Sequence, residues 1–208
     1  LNGDLIVGND LSIPTAGGTL TINATSTSGY GFQSKTGSLI SFGAISITSR
    51  SSSNQAVRLE GTGAKIRSAS DITISGTQGT WGLTMSDNSF IQSTGGNILI
   101  TASGTTGGFY SNTSGGIYAS SNTATPTTTT PTAGGSLTIL ANGGTQYGIE
   151  MPAGSLISFG SMSLTAASSL ESMYIYGSGT VRSVGNLTLS ATTSGASQWG
   201  IYLKNSRI

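Results

Sequence analysis

The 208-residue chain has no cysteine, no histidine and only four prolines, and its charged residues amount to 7%, against about 25% in an ordinary soluble domain. Without cysteine there is no disulfide framework. Without histidine or cysteine, the usual zinc sites and the familiar nucleophile–base arrangements are excluded. A net charge of +1 gives no electrostatic case for nucleic acid or an acidic membrane, so neither nucleic acid nor membrane insertion is expected. No apolar run approaches the roughly 20 residues that span a bilayer, and no signal peptide is visible. What is present is Gly (32 residues), Ser plus Thr (about a third of the chain) and 35% hydrophobic residues. Low charge with many small polar residues can mean disorder, but here the apolar residues are regularly placed.

The regularity is an apolar-x-apolar triplet: Leu20-Thr21-Ile22, Ile45-Ser46-Ile47, Ile72-Thr73-Ile74, Ile98-Leu99-Ile100, Leu137-Thr138-Ile139, Met162-Ser163-Leu164 and Leu187-Thr188-Leu189. Successive triplets start 25, 27, 26, 39, 25 and 25 residues apart. Period two with β-branched residues reads as a strand buried on one face, and no window sustains a helical period. A second strand signal follows each triplet, aromatic-Gly-apolar in four coils (Tyr30-Gly31-Phe32, Trp81-Gly82-Leu83, Tyr147-Gly148-Ile149, Trp199-Gly200-Ile201). A third is marked by Ile13, Ile40, Ile66, Ile91, Ile157, Val181 and Ile208. Gly, Asn and Ser cluster between them, as turns require.

Three short strands per roughly 25 residues describe one coil of a parallel β-helix. A single coil cannot bury its apolar side, whereas stacked coils place equivalent residues about 4.8 Å apart in continuous rows. The sequence therefore predicts an all-β, right-handed parallel β-helix (β-solenoid) over 1–208, with about eight rungs and a length of roughly 38 Å. A longer period of 117 residues lies on top. Gly37-Ser38-Leu39-Ile40-Ser41-Phe42-Gly43 returns as Gly154-Ser155-Leu156-Ile157-Ser158-Phe159-Gly160, so residues 1–91 match 118–208 as a four-coil unit. Phe42 and Phe159 are expected to be equivalent within the core. The fourth coil is long, and its excess at 120–131, with Pro126 and Thr127 to Thr130, predicts a protruding loop.

The recurrent blocks Gly17 to Ile22 and Gly134 to Ile139, the absent cysteine and the Ser/Thr/Gly/Asn-rich coils resemble the right-handed β-helices of filamentous-haemagglutinin-like and autotransporter-type bacterial surface adhesins. The resemblance covers nearly the whole chain and implies an extracellular or cell-surface location and an adhesive or fibrous role, without a cofactor.

Function then turns on what the outer faces carry. Many β-helices act on polysaccharides, and such enzymes resemble one another in clustering carboxylates. Glycoside hydrolysis needs a pair about 5–9.5 Å apart. The acids are Asp4, Asp10, Glu60, Asp71, Asp87, Glu150 and Glu171. Coil alignment sets Glu60 beside Thr84 and Glu150 beside Tyr176, with no acidic neighbour in either row, and only Glu60 and Asp87 within one rung at the following turn. No catalytic or metal-ligating residue is assigned. If Phe32, Leu59, Leu83, Ile117, Ile149, Ile175 and Ile201 point inward, the second strand shows an outward row of Gly31, Arg58, Gly82, Gly116, Gly148, Tyr174 and Gly200. Beside it runs a second row, Gln33, Glu60, Thr84, Tyr118, Glu150, Tyr176 and Tyr202. Mid-strand Gly marks close approach by a backbone or ligand, so Gly31, Gly82, Gly116, Gly148 and Gly200 with Tyr118, Tyr174, Tyr176 and Tyr202 form a candidate strip for lateral packing or glycan binding. Alternatively, Gly relieves crowding beside inward Tyr30, Trp81, Tyr147 and Trp199.

The outward pairs of the first strand (Thr21/Asn23, Ser46/Thr48, Thr73/Ser75, Leu99/Thr101, Thr138/Leu140, Ser163/Thr165, Thr188/Ser190) make two hydroxyl rows of the kind found on ice-binding solenoids, interrupted by Leu99 and Leu140. The leading expectation is a non-enzymatic structural or adhesive shaft of a secreted bacterial surface fibre. A carbohydrate-binding or carbohydrate-active β-helix is the alternative, and ice binding the minor one. Both termini fall inside coils and are apolar, which predicts as partners further coils of the same chain or head-to-tail copies, with lateral fibre contacts and surface glycans besides.

Overall fold

A computed structural model describes residues 3–7, 16–121, 133–195 and 199–208. Every regular element among them is a β-strand, and every strand pairing is parallel. The chain is a β-solenoid of three faces per coil. The third face is a seven-stranded sheet of Leu5–Val7, Ser38–Ser41, Lys65–Ser68, Phe90–Ser93, Gly116–Ala119, Ser155–Ser158 and Thr180–Ser183. The first and second faces share one twelve-stranded sheet. Leu20–Ser26, Ile45–Ser51, Leu137–Gly143, Met162–Ser168 and Leu187–Thr193 lie on the first face. Phe32–Ser34, Val57–Leu59, Tyr147–Met151, Glu171–Tyr176 and Ile201–Lys204 lie on the second. In rungs three and four, single strands, Ile72–Asp87 and Ile98–Thr113, run round both faces.

Among the described residues each face is seven strands deep, not eight, with one further parallel bridge from Thr180 to Arg207 on the third face, which puts about 29 Å between the end strands at 4.8 Å per step. Division by 25 overcounts because the long coil between Ile98 and Leu137 uses its extra residues without adding a rung. That excess lies almost wholly outside the described residues. Ser120 and Ser121 are described, and the Ser121 amide donates to the Ala133 carbonyl (2.9 Å) across the insertion.

The triplets stack in register along the entire first face: Leu20, Ile45, Ile72, Ile98, Leu137, Met162 and Leu187 form one inward row. Ile22, Ile47, Ile74, Ile100, Ile139, Leu164 and Leu189 form the next. With the inward row Leu39, Ile66, Ile91, Ile117, Leu156 and Val181 of the third face they make one continuous core, mostly without solvent contact. Ile40 and Ile157, although only 3% and 4% exposed, lie outside that cluster. They sit in the adjacent, outward row with Arg67, Gln92 and Tyr118. Phe42 and Phe159 are equivalent but not core, being 38% and 37% exposed.

The third face also turns Ser inward. Ser41, Ser68 and Ser93 share a row with Ser158 and Ser183. Their hydroxyls donate to turn carbonyls: Ser41 to Gly18 (2.7 Å), Ser68 to Gly43 (2.8 Å), Ser93 to Ser70 (2.7 Å) and Ser183 to Gly160 (2.8 Å). Buried hydroxyls at the corner thus satisfy backbone groups that no strand reaches. At the turn between the second and third faces, Gly61, Asp87, Gly177 and Asn205 have φ of 87°, 60°, 67° and 55°. These residue types tolerate the left-handed region best.

Candidate functional site

The second face carries most of the aromatic side chains, and its register decides what they can do. Phe32, Val57, Leu83, Phe109, Ile149, Met173 and Ile201 form the inward row. The outward row is Gln33, Arg58, Thr84, Tyr110, Glu150, Tyr174 and Tyr202. This differs from the predicted alignment in three ways. In rungs two and six the pairing is two residues earlier, so Arg58 and Tyr174 join the row of Thr84, while Glu60 and Tyr176 fall in the next one. In rung four the second strand is Phe109-Tyr110, because Gly residues hide it in a strand of sixteen. Gly116 and Tyr118 lie on the third face, where they pair with Phe90 and Gln92 on one side and Ser155 and Ile157 on the other.

The Gly residues of the remaining strip do not floor an outer surface. Gly31, Gly82 and Gly148 close the corner against the first strand of the next coil. A Cβ on Gly82 would stand 2.3 Å from Ser103 N and 2.6 Å from Ala102 C; on Gly31, 2.5 Å from Arg50 O; on Gly108, 2.7 Å from Asn142 N; on Gly148, 2.9 Å from Ala167 N. Gly200, in the last rung, has among the described residues nothing nearer than Ala191 O at 3.7 Å. Ala56 and Ser172, both without solvent contact, fill the equivalent positions of rungs two and six. Because Gly marks the inner corner, the residue before it leaves the core, and Trp199 is 57% exposed. Tyr30, Trp81 and Tyr147 are half-buried on the same outer face, correcting the expectation that they point inward.

Extending the register back by two residues gives a flanking row of Tyr30, Gln55, Trp81, Gly107, Tyr147, Glu171 and Trp199. Aromatic residues occupy its odd rungs, and in rungs one, three and five the ring leans towards the outward residue of the next rung. Arg58 lies 4.8 Å from the Tyr30 centroid, Tyr110 is 5.4 Å from Trp81, and Tyr174 stacks on Tyr147 at 5.4 Å and 15°. The even rungs must stay small or flexible there. A Cβ on Gly107 would meet the Trp81 ring at 2.1 Å. Tyr174 further contacts Tyr176 (4.5 Å) and Tyr202 (4.9 Å), and Trp199 stacks on Tyr202 at 4.7 Å. In this upper cluster the rings use one another's faces, which leaves mainly edges for a ligand.

The carboxylates are distributed, and three of the six described are tied to the backbone. Asp4 accepts from Ser38 N (2.8 Å), Asp71 from Asn97 N (2.7 Å) and Asp87 from Gly61 N (2.7 Å), each across one rung. Glu60 is held by Arg58, by Lys35 at 3.7 Å and by the Gln33 amide at 2.8 Å. Glu150 accepts from the Tyr176 hydroxyl (3.3 Å). Burial pushes the Glu150 carboxyl above its ordinary range, the Tyr176 bond opposes that, and the nearby Glu171 charge adds to it. Sequence alignment had missed Glu171 as a neighbour because rung six pairs earlier than its apolar pattern suggests. The Tyr176 hydroxyl is pushed up to about 12, by burial first and by Glu150 second. Among the described residues no three Asp or Glu side chains converge as a metal site would need. Asp10 lies outside them.

On the first face the hydroxyl rows stand as the sequence predicts, with Leu99 beside Thr138 and Thr101 beside Leu140. These two leucines are 39% and 38% exposed in the middle of the rows. On the third face, Lys65 and Arg67 lie 5.5 and 5.7 Å from the Phe90 ring, and Phe90 meets Tyr118 edge-on at 6.4 Å. Burial raises the Tyr118 hydroxyl to about 12.

The architecture defines the class: a parallel β-solenoid of about seven turns. Comparison with family models, with curated proteins and with solved structures returned no match.

Proposed function

We propose that this solenoid is a non-enzymatic structural or adhesive shaft of a secreted bacterial surface fibre, as the resemblance to filamentous-haemagglutinin-like and autotransporter-type adhesins implies. The observation that carries this reading is the use of the acids. Asp4, Asp71, Asp87 and Glu60 tie neighbouring strands or salt-bridge within the surface. That is a use for holding coils together rather than for proton transfer to a substrate. A uniform stack with one continuous core also suits a spacer, because repeat stability is the sum of coil and neighbour terms and lengthens without redesign. Its natural partners are further coils, copies stacked end to end, and the surfaces of adjacent fibres. Gold-labelled antibody against this chain, applied to the producing cells, should decorate thin external fibres in electron micrographs. Label confined to the cell interior, or turnover of a polysaccharide by the purified chain, would reject the proposal.

A carbohydrate-binding role is the second reading. It is favoured by a cleft of about 220 Å³ on the second face at Trp81 and Tyr110.

A further inference from the structure

In the outward row of the second face, Thr84 stands between Arg58 of the rung below and Tyr110 of the rung above. A short side chain between two long ones leaves a notch one rung wide, with Trp81 and Gln55 along its side and buried Met85 beneath. Its volume of about 220 Å³ is below the roughly 300–1,000 Å³ of drug-sized pockets and suits a single six-membered ring.

The walls are held in place by contacts outside the notch. Arg58 bonds the Tyr30 hydroxyl and Glu60, and its guanidinium lies against the Tyr30 ring. The Trp81 indole covers Gly107 and tilts at 60° to Tyr110. Gln55 anchors its own backbone amide on Asn54 Oδ1 (3.0 Å), yet its side-chain Oε1 is buried with no hydrogen-bond partner. A buried amide oxygen left without a donor is costly, and native proteins rarely keep one.

The chemistry of the notch selects among ligands. Sulfate brings only acceptors for Gln55 Oε1, and Arg58 is already engaged by Glu60 and the Tyr30 hydroxyl. An aromatic side chain would fill the space and leave Oε1 unpaired. A pyranose ring supplies both requirements: a C–H face to pack on indole and phenol, and rim hydroxyls that exchange bonds with the Thr84 hydroxyl and, once the Gln55 amide turns into the notch, donate to its Oε1, which the ligand-free chain closes off from solvent.

We propose that the Thr84 notch, walled by Gln55, Arg58, Trp81 and Tyr110, binds one neutral pyranose unit of a glycan. The proposal rests on the carbohydrate-binding reading and not on the shaft, which microscopy judges separately. The chain has two tryptophans, so Trp199→Phe leaves Trp81 as the only indole reporter. This variant is titrated with the methyl glycosides of glucose, galactose, mannose and N-acetylglucosamine while Trp81 emission is followed. At least one should give a saturable change in the millimolar range. Thr84→Tyr, which fills the notch, should abolish it, and Gln55→Leu should weaken it by about tenfold, with neither variant lowering the thermal midpoint. Should Thr84→Tyr fail to fold, the Gln55→Leu titration decides. The proposal is overturned if none of the four glycosides saturates the signal, if binding survives Thr84→Tyr or is unaltered by Gln55→Leu, or if tyrosine amide binds as well as the best sugar.

Discussion

Gly82 and Gly200 look alike in sequence, each between a tryptophan and an apolar residue, but substitution by alanine should move stability in opposite directions. At Gly82 the new methyl would stand 2.3 Å from Ser103 N and 2.7 Å from Ala102 Cα. Those atoms belong to a strand paired on both sides, to Gly76 and to Ala141, so they cannot step aside. Overpacking of this kind costs about 1–3 kcal/mol. The reduced entropy of the unfolded chain returns about 0.4–1 kcal/mol. The net loss is about 1–2 kcal/mol, or roughly 2–8 °C in midpoint for a chain of this size. At Gly200 the nearest atoms are Ala191 O at 3.7 Å and its Cβ at 3.9 Å, ordinary contacts, so only the entropy term remains and the change is a gain of up to about 1 kcal/mol. Thermal and urea unfolding followed by circular dichroism, with hydrogen exchange to resolve the end rung from the middle, measures both. The reasoning is refuted if Gly82→Ala is as stable as the parent, or if Gly200→Ala loses as much as Gly82→Ala.

Other outcomes follow from the same contacts. Gly107→Ala should displace the Trp81 indole, whose ring lies 2.1 Å from the added methyl, and shift its fluorescence to the red; an unchanged spectrum would show that the ring does not cover Gly107. Ile74→Ala, at a site with no solvent contact, should cost about 2–5 kcal/mol in urea unfolding, whereas Phe42→Ala, 38% exposed, should cost less than Ile74→Ala. Glu150 is an acid whose folded pKa is raised, so its contribution is complete below the ordinary carboxylate range and is lost as pH rises through the folded value. Glu150→Gln keeps an acceptor for Tyr176 and should therefore exceed the parent in thermal midpoint at neutral pH, with the difference vanishing at pH values below the carboxylate range. A parent more stable than the variant at neutral pH would reverse the sign and reject this.

Sequence periodicity revealed the first face completely, because alternating Ile and Thr over seven coils leave one register possible. It located the third face but not its facing. In Ser38-Leu39-Ile40-Ser41 two adjacent apolar residues compete for the core, and Leu39 takes it while Ser41 turns in beside it to bond a turn carbonyl. A serine next to an apolar pair reads as solvent-facing, so nothing in the pattern signalled the inward Ser row. The second face was legible only in part. The aromatic-Gly-apolar signal was found, but Gly was assigned to the outside, since sequence does not show that the next coil crosses behind it at 2.3 Å. Rungs two and six, with Ala56 and Ser172 in place of Gly, gave no anchor and slipped by two residues. The notch at Thr84 depends on that corrected register, because only it places Arg58, Thr84 and Tyr110 in one row.

The stacking of parallel coils in this register is the claim on which every site assignment depends, and cysteine cross-linking tests it directly. The chain has no cysteine of its own. Thr73 and Leu99 are neighbours across one rung on the first face. Ser46 and Leu99 are separated by Thr73 and so lie two rungs, about 9.6 Å, apart, beyond the roughly 7 Å limit for a disulfide. Under mild oxidation, Thr73→Cys with Leu99→Cys should close to an intramolecular disulfide, seen as loss of two free thiols by mass spectrometry, and Ser46→Cys with Leu99→Cys should remain reduced. An adjacent pair that stays open, or a two-rung pair that closes, would contradict the parallel stack.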